Sequence, residues 1–283
     1  MKKKIFAIAL SLMMVLALCT ACGNSGTAGS VSGSADSSAA APTDGGKNPA
    51  SMKTFTVGFD AEYPPFGYKD DNGDYTGFDL ELAQAVCEKE GWELKKNPID
   101  WDSKDMELNS GSIDCIWNGF TINGREDDYT WSVPYCDNSQ VVVVPKDSGI
   151  KKLSDLKGKI VGVQTASAAY DVLTNKDQQK KLGDSFAELQ QFGDYNTAFT
   201  ELQAGSLDAL AIDIGVANYQ LKQRGDGFVK LDEALNSEQY GVGFKKGNTK
   251  LRDVINKDLK ELKEDGTVDQ LAQKYDIADM ICL

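Results

Sequence analysis

The sequence predicts an α/β protein made of two lobes with the same local topology, and two observations carry this. From Lys53 onward, apolar runs of strand length alternate with segments whose apolar residues recur at helical spacing, the mark of sheets crossed by helices. In addition, "ELNSGSIDCI" (107–116) returns 94 residues later as "ELQAGSLDAL" (201–210), keeping Glu, Leu, Gly, Ser and Asp in register. Each copy reads as a helix end, a glycine turn and a strand, so each lobe should hold about 90 residues and a largely parallel sheet.

Taken in order, "TFTVGF" (54–59) reads as a strand and "FDLELAQAVCEKEG" (78–91) as a helix. Leu82, Ala83, Val86 and Cys87 share one face of it, Asp79 suits its N-terminus, and Gly91 ends it. "SIDCIW" (112–117) is a strand. So is "QVVVVP" (140–145), whose unbroken valines suit burial on both faces. "GKIVGVQ" (158–164) follows, then a helix capped by Ser167 that runs to about Leu173. Asp194 caps another helix, with Ala198, Phe199 and Leu202 inward. "SLDALAID" (206–213) and "YGVGF" (240–244) are strands. Two amphipathic helices finish the chain, the first on Leu251, Val254, Ile255, Leu259 and Leu262, the second on Val268, Leu271, Ala272 and Tyr275.

Composition narrows the function. A length of 283 residues with 41% apolar and 26% charged side chains is that of an ordinary globular chain of two modest lobes. A net charge of -13 without a basic stripe argues against nucleic acid as a partner. The absence of histidine removes the commonest general base and metal ligand, although enzymes built on carboxylates stay open. The cysteines match no metal spacing, so neither a metal nor a cofactor is expected. Cys87 and Cys115 fall in helix and strand patterns and suit buried small hydrophobes. A disulfide among Cys87, Cys115, Cys136 and Cys282 stays open, since the sequence does not choose a pair.

The N-terminus carries an address. Lys2, Lys3 and Lys4 precede an apolar run from Ile5 to Leu18, too short for a lasting membrane span. It ends in "LCTACGNS", which resembles a bacterial lipoprotein cleavage site, with residues 1–21 removed and Cys22 acylated. Residues 23–52, rich in Gly, Ser, Ala and Thr, read as a flexible tether between lipidated Cys22 and the body.

The chemistry gathers where the echoed strands end. Ligands of open α/β sheets sit beyond the carboxyl ends of strands, here Asn118 to Thr121 in one lobe and Asp213 in the other. A free amino acid between them needs a planar bidentate donor for its carboxylate, which Arg125 offers, helped by the helix start at Ser167. Its ammonium needs acceptors, which Asp213, Thr121 and the main chain at Gly119 provide; glycine there lets the backbone come close. Asp60 and Tyr63, in "DAEYPPFGY", and Trp101 offer a carboxylate and aromatic faces to the side chain, while Phe66 belongs with the core.

A specific resemblance now follows. "VGFDAEYPPFGYKDDNGDYTGFDLELAQAV", "GSIDCIWNGFTINGRE", "WSVPY", "LKGKIVGVQTASAA", "GSLDALAID" and "YGVGFKKGNTKLRDVINKDLKELKEDGTVDQLAQKY" stand in the order seen in the family 3 extracellular solute-binding proteins of ABC importers. The resemblance spans Lys53 to Tyr275. It implies a type II periplasmic-binding fold, with residues 53–136 and 240–283 in lobe 1, 137–239 in lobe 2, and hinge crossings near Cys136–Gln140 and Asn236–Gln239. It also implies roles. Asp60 and Tyr63 meet the guest side chain, and Trp101 takes the place of the aromatic lid. Asn118, Gly119 and Thr121 hold both polar ends, Arg125 the carboxylate, Gln164 and Ser167 contribute from lobe 2, and Asp213 holds the ammonium. Asp114 and Asp208 are structural. Three positions depart from the family pattern. Thr121 to Arg125 is one residue short, Asn118-Gly119 replaces two small polar residues, and the usual Gly-Ser-Thr of lobe 2 is Ala166-Ser167-Ala168.

The function so implied is capture of a free polar L-amino acid by hinge closure and delivery to the transmembrane subunits of an ABC permease. The protein would act as a monomer tethered by its lipid to the outer face of the cell membrane. Asp60 favours a basic or amide side chain. A sensing module using the same pocket is an alternative. So is a dehydratase resembling the cyclohexadienyl type, which would need an acid such as Asp60 or Glu62 to protonate a leaving hydroxyl.

Overall fold

A computed structural model describes residues 47–175 and 177–283; the leader, Cys22 and residues 23–46 of the expected 23–52 tether lie outside the described residues. The last residues of that tether are held, with a helical turn at Pro49–Ser51 and Met52 against the core. In chain order come β1 (Thr54–Phe59), β2 (Glu62–Tyr63), β3 (Gly67–Lys69), β4 (Tyr75–Thr76), α1 (Phe78–Glu90), β5 (Glu93–Pro98), α2 (Lys104–Ser110), β6 (Cys115–Ile116) and β7 (Thr130–Trp131). Then follow β8 (Cys136–Asn138), β9 (Gln140–Pro145), β10 (Ile160–Gln164), α3 (Ala168–Thr174), α4 (Lys180–Gly183), β11 (Glu188–Phe192), α5 (Tyr195–Ala204), β12 (Ala209–Asp213), α6 (Ile214–Arg224) and β13 (Phe228–Lys230). The chain ends with β14 (Glu238–Tyr240), β15 (Gly243–Phe244), α7 (Thr249–Glu264) and α8 (Thr267–Lys274).

Two five-stranded sheets result, ordered β5-β1-β6-β15-β7 and β11-β10-β12-β9-β13. In each, three strands run parallel and the fourth runs antiparallel to its neighbours on both sides. The fifth strand therefore runs with the first three, so four of five strands in each sheet share one direction, as expected of largely parallel sheets, and the one reversed strand has a topological reason. β9 and β15 have no helical crossover; each follows a strand of the ribbon β8·β14, where Asn138 pairs with Glu238 and Cys136 with Tyr240. That ribbon abuts the carboxyl ends of the parallel strands, so a strand leaving it runs back against them. Its two strands carry both passages between the sheets.

Packing follows the side-chain pattern. Along β9, Val141 and Val143 enter one apolar cluster while Val142 and Val144 enter another, because neighbouring strand residues point to opposite faces. α7 buries Leu251, Ile255, Leu259 and Leu262, and α8 buries Val268 and Ala272, in the cluster that also takes α1. β6 and β12 are shorter than the sequence suggests, since the residues before Cys115 and Ala209 still belong to the preceding corners. Cys87, Cys115, Cys136 and Cys282 are free thiols, and the first three are buried. Asp79 corrects another expectation. Its carboxylate makes no cap bond to its own helix; it accepts from the Gly119 amide at 2.6 Å and from the Tyr135 hydroxyl at 2.9 Å, tying α1 to the end of β6.

Candidate functional site: a buried pocket between the two sheets

β1, β6, β10 and β12 all end facing one another. There Tyr63, Trp101, Asn118, Gly119, Thr121 and Arg125 from the first lobe meet Gln164, Ser167, Ala168 and Asp213 from the second around a single pocket. Every residue singled out from the sequence is in that lining except Asp60, which stands at its edge and accepts from Gln164 Nε2 at 2.6 Å across the cleft. The enclosed void is about 10 Å³, room for about one water. Asn118, Thr121, Gln164 and Asp213 are buried, so the pocket as it stands is too small for a guest of amino-acid size.

Each side chain has a local reason for its place. Gly119 sits at φ 54°, and a Cβ there would fall 2.9 Å from the Tyr63 ring and 3.0 Å from that of Tyr240. Asn118 accepts the Asp60 amide at 2.8 Å, while its own buried Nδ2 has no partner among the described residues. Thr121 donates its hydroxyl to Glu238 at 2.8 Å. Ser167 caps α3 by accepting from Tyr170 N at 3.2 Å. Trp101 packs edge-on to Phe120 at 5.5 Å and forms one wall. Tyr63 lies among Phe66, Tyr195 and Tyr240.

Both cations of the site come from the first lobe. Arg125, on the first lobe, donates to Asp171 of α3 at 2.6 Å and stands 5.5 Å over the Phe120 ring. Beside it Lys104 is buried, with its ammonium 5.2 Å over Trp101 and 3.4 Å from the Ala166 carbonyl across the cleft. Burial, then the neighbouring Arg125, lower the Lys104 pKa to about 8. Ala166 itself holds φ 55°, the left-handed conformation that a glycine would adopt freely. Opposite lies Asp213, whose Oδ1 accepts from Gln140 at 2.6 Å and from Asn138 and Tyr240 at 2.7 Å. Burial, then the nearby Glu238, push its pKa up to about 6. Burial likewise lifts Asp60 to about 6, against the lowering effect of the Glu62 amide and Gln164.

Sequence reading missed Glu238, Lys104 and Asp171, whose partners lie far away in sequence: 117 residues for Glu238 and Thr121, 62 for Lys104 and Ala166, 46 for Arg125 and Asp171. No local spacing marks such pairs. Among the described residues no cluster of acids and cysteines is arranged to hold a metal ion.

Known proteins place this architecture. The model of the bacterial extracellular solute-binding proteins, family 3, matches residues 55–277. The L-cystine-binding protein TcyJ of Escherichia coli is 32% identical over 80% of this chain and 84% of its own length. The arginine-binding extracellular protein ArtP of Bacillus subtilis is 31% identical over 93% of this chain and 96% of its own. Among solved structures, an ABC uptake transporter substrate-binding protein of Streptococcus pneumoniae with bound histidine superposes with a TM-score of 0.76, at 35% identity, covering 81% of this chain and 95% of that one. With a match across almost the whole folded body, and with two sheets meeting at one polar pocket, the chain belongs to the bacterial extracellular solute-binding proteins, family 3.

Proposed function

We propose that the protein captures a free L-amino acid between its lobes and delivers it to an ABC permease. In this reading it works as a monomer held at the outer face of the cell membrane by a lipid on Cys22. The observation that carries the reading is the meeting of Arg125 and Asp213, a cation from one lobe and an anion from the other, in one buried pocket. The carboxylate of a zwitterion matches the planar guanidinium, with Ser167 beside it, and its ammonium matches Asp213 with Thr121 and the Gly119 main chain. Lobe 1 is then 53–136 with 240–283, lobe 2 is 137–239, and the β8·β14 ribbon between them serves as hinge. The relatives named above are binding proteins, which favours capture without chemistry. Among the described residues no helix is long and apolar enough to cross a membrane, which suits a tethered receptor.

The side chain of the guest is assigned from Asp60 and what lies beyond it. Outside Trp101 a cleft of about 630 Å³ is lined by Asp60, Glu62, Asp100, Asp102, Glu107 and Asp194, with no basic residue in its lining. A cationic side chain passing between Asp60 and Trp101 finds matching charge there, whereas an acidic one is repelled. Relatives that bind arginine and L-cystine are consistent with a long polar guest. A thermal-shift screen of the twenty amino acids with ornithine and cystine tests this, since a tight guest stabilises the folded form by mass action. The largest shift is expected from a basic amino acid. A largest shift from aspartate or glutamate would overturn the role of Asp60, and no shift from any of them would overturn the capture of amino acids.

A further inference from the structure

Glu238 is a buried carboxylate set beside Asp213 at the ribbon where both passages between the lobes lie. Its Oε1 accepts from Thr121 Oγ1 at 2.8 Å, Asn138 Nδ2 at 2.7 Å and Gln140 Nε2 at 2.8 Å, and its Oε2 from Asn236 Nδ2 at 2.9 Å. The same two amides also donate to Asp213 Oδ1, at 2.7 Å from Asn138 and 2.6 Å from Gln140. Two acids are therefore bridged by neutral donors, and among the described residues neither forms an ion pair with a lysine or arginine of the chain. Buried carboxylates normally have a cation or are held neutral. Here the positive partner is absent from the protein side of a pocket that Asp213 and Thr121 line.

Thr121 completes the pattern. A hydroxyl has one proton to donate, and this one goes to Glu238, so toward the pocket its oxygen only accepts. An ammonium, which only donates, fits that surface; a hydroxyl or carboxylate fits it less well.

We propose that Glu238 is a positioning residue of the ammonium subsite, adding a second negative charge beside Asp213 and turning Thr121 into an acceptor, so that the subsite demands a full cation. This rests on reading the pocket as an amino-acid site. The groups facing Asp213 are the hydroxyls of Tyr63, Tyr195 and Tyr240, the amides of Asn138 and Gln140, and Glu238. All but Glu238 are neutral. Burial and the neighbouring Glu238 raise the Asp213 pKa, so in the free protein Asp213 takes up a proton at a less acidic pH than an ordinary carboxylate, and an arriving ammonium must displace it. Affinity therefore falls as the solution is made acid enough to protonate Asp213 and levels off at higher pH.

Calorimetric titration of the amino acid with the largest thermal shift, at pH 5, 6, 7 and 8, compares the wild type with E238Q and E238D. E238Q keeps the shape and loses the charge. It is expected to bind about tenfold more weakly at pH 8, as when one charged partner leaves a buried hydrogen-bonded site. Its pH midpoint should move toward acid, because Asp213 then ionises more easily. E238D, which keeps the charge, should hold the midpoint near that of the wild type. An E238Q protein within twofold of wild type at pH 8, or weakened by one constant factor at every pH, would overturn the role of Glu238 while leaving the pocket assignment intact. A wild type that binds no amino acid would overturn the pocket assignment itself, and this inference with it. If E238Q does not fold, T121V serves instead: weaker binding with an unmoved midpoint is expected, and unchanged affinity would overturn the proposal.

Discussion

The corner at Gly111 and the corner at Gly205 are two solutions to one problem, and they agree closely. Both glycines are left-handed, at φ 81° and 80°, and end their helices on the carbonyls of Glu107 and Leu108 or of Glu201 and Leu202. Past the first turn, Asp114 accepts the Thr56 amide at 2.9 Å and returns its own N–H to the Thr56 carbonyl at 2.8 Å. Asp208 does the same with Ile160, at 2.8 and 2.9 Å. Even the residue between matches. A Cβ on Gly58 would fall 2.4 Å from Ile113, and one on Gly162 would fall 2.5 Å from Leu207.

Beyond β6 and β12 the likeness stops. The first lobe continues into Asn118, Gly119 and Thr121 with Arg125 behind them, whereas the second ends its strand on Asp213 and turns directly into α6. What repeats fastens a strand start in its sheet; what does not repeat faces the pocket and carries charge. At the equivalent ends of β1 and β10, Asp60 and Gln164 meet directly at 2.6 Å, so the two frames touch where their side chains differ.

This comparison can be broken in the corners themselves. Asp114 is buried, and Asp114→Ala strands the Thr56 amide; a loss of about 1–3 kcal/mol in urea unfolding is expected. Asp208 is about one-third exposed, so water can replace its carboxylate, and Asp208→Ala should cost less, under about 1 kcal/mol. Equal losses, or a larger loss at Asp208, would mean that the two corners are alike in shape but not in how burial weights them. The smallest effect is expected at Ala166, where relief of the left-handed strain should make Ala166→Gly more stable by up to about 1 kcal/mol in thermal melts. A clear loss would show that contacts of the Ala166 methyl outweigh the backbone strain.

Much of the frame was legible because its rules are local. Periodic leucines and valines mark α7 and α8, Ser167 and Asp194 cap the helices that follow them, and the repeated Gly-Ser-Leu/Ile-Asp marks both corners. Asp79 shows where a local rule fails. As an acid in the first turn of α1 it suits the helix start, yet full burial sends it to the Gly119 amide 40 residues away. Burial lifts its pKa to about 7 against the pull of those bonds. Glu238 was invisible for the same reason: nothing within ten residues of it predicts that Thr121, Asn138 and Gln140 converge there. The antiparallel fourth strands were missed because their direction is set by the ribbon and not by their own residues.

The claim at the centre is that the lobes bring opposite charges to the two ends of one zwitterion. Calorimetric titration of Arg125→Ala with the amino acid that the wild type binds tests it most directly. Removing the guanidinium from one end of the guest should cost roughly 2–5 kcal/mol, a loss of affinity of about 30-fold to several thousand-fold. Binding within about threefold of the wild type would mean that Arg125 serves only its ion pair with Asp171, and that the carboxylate of the guest lies elsewhere.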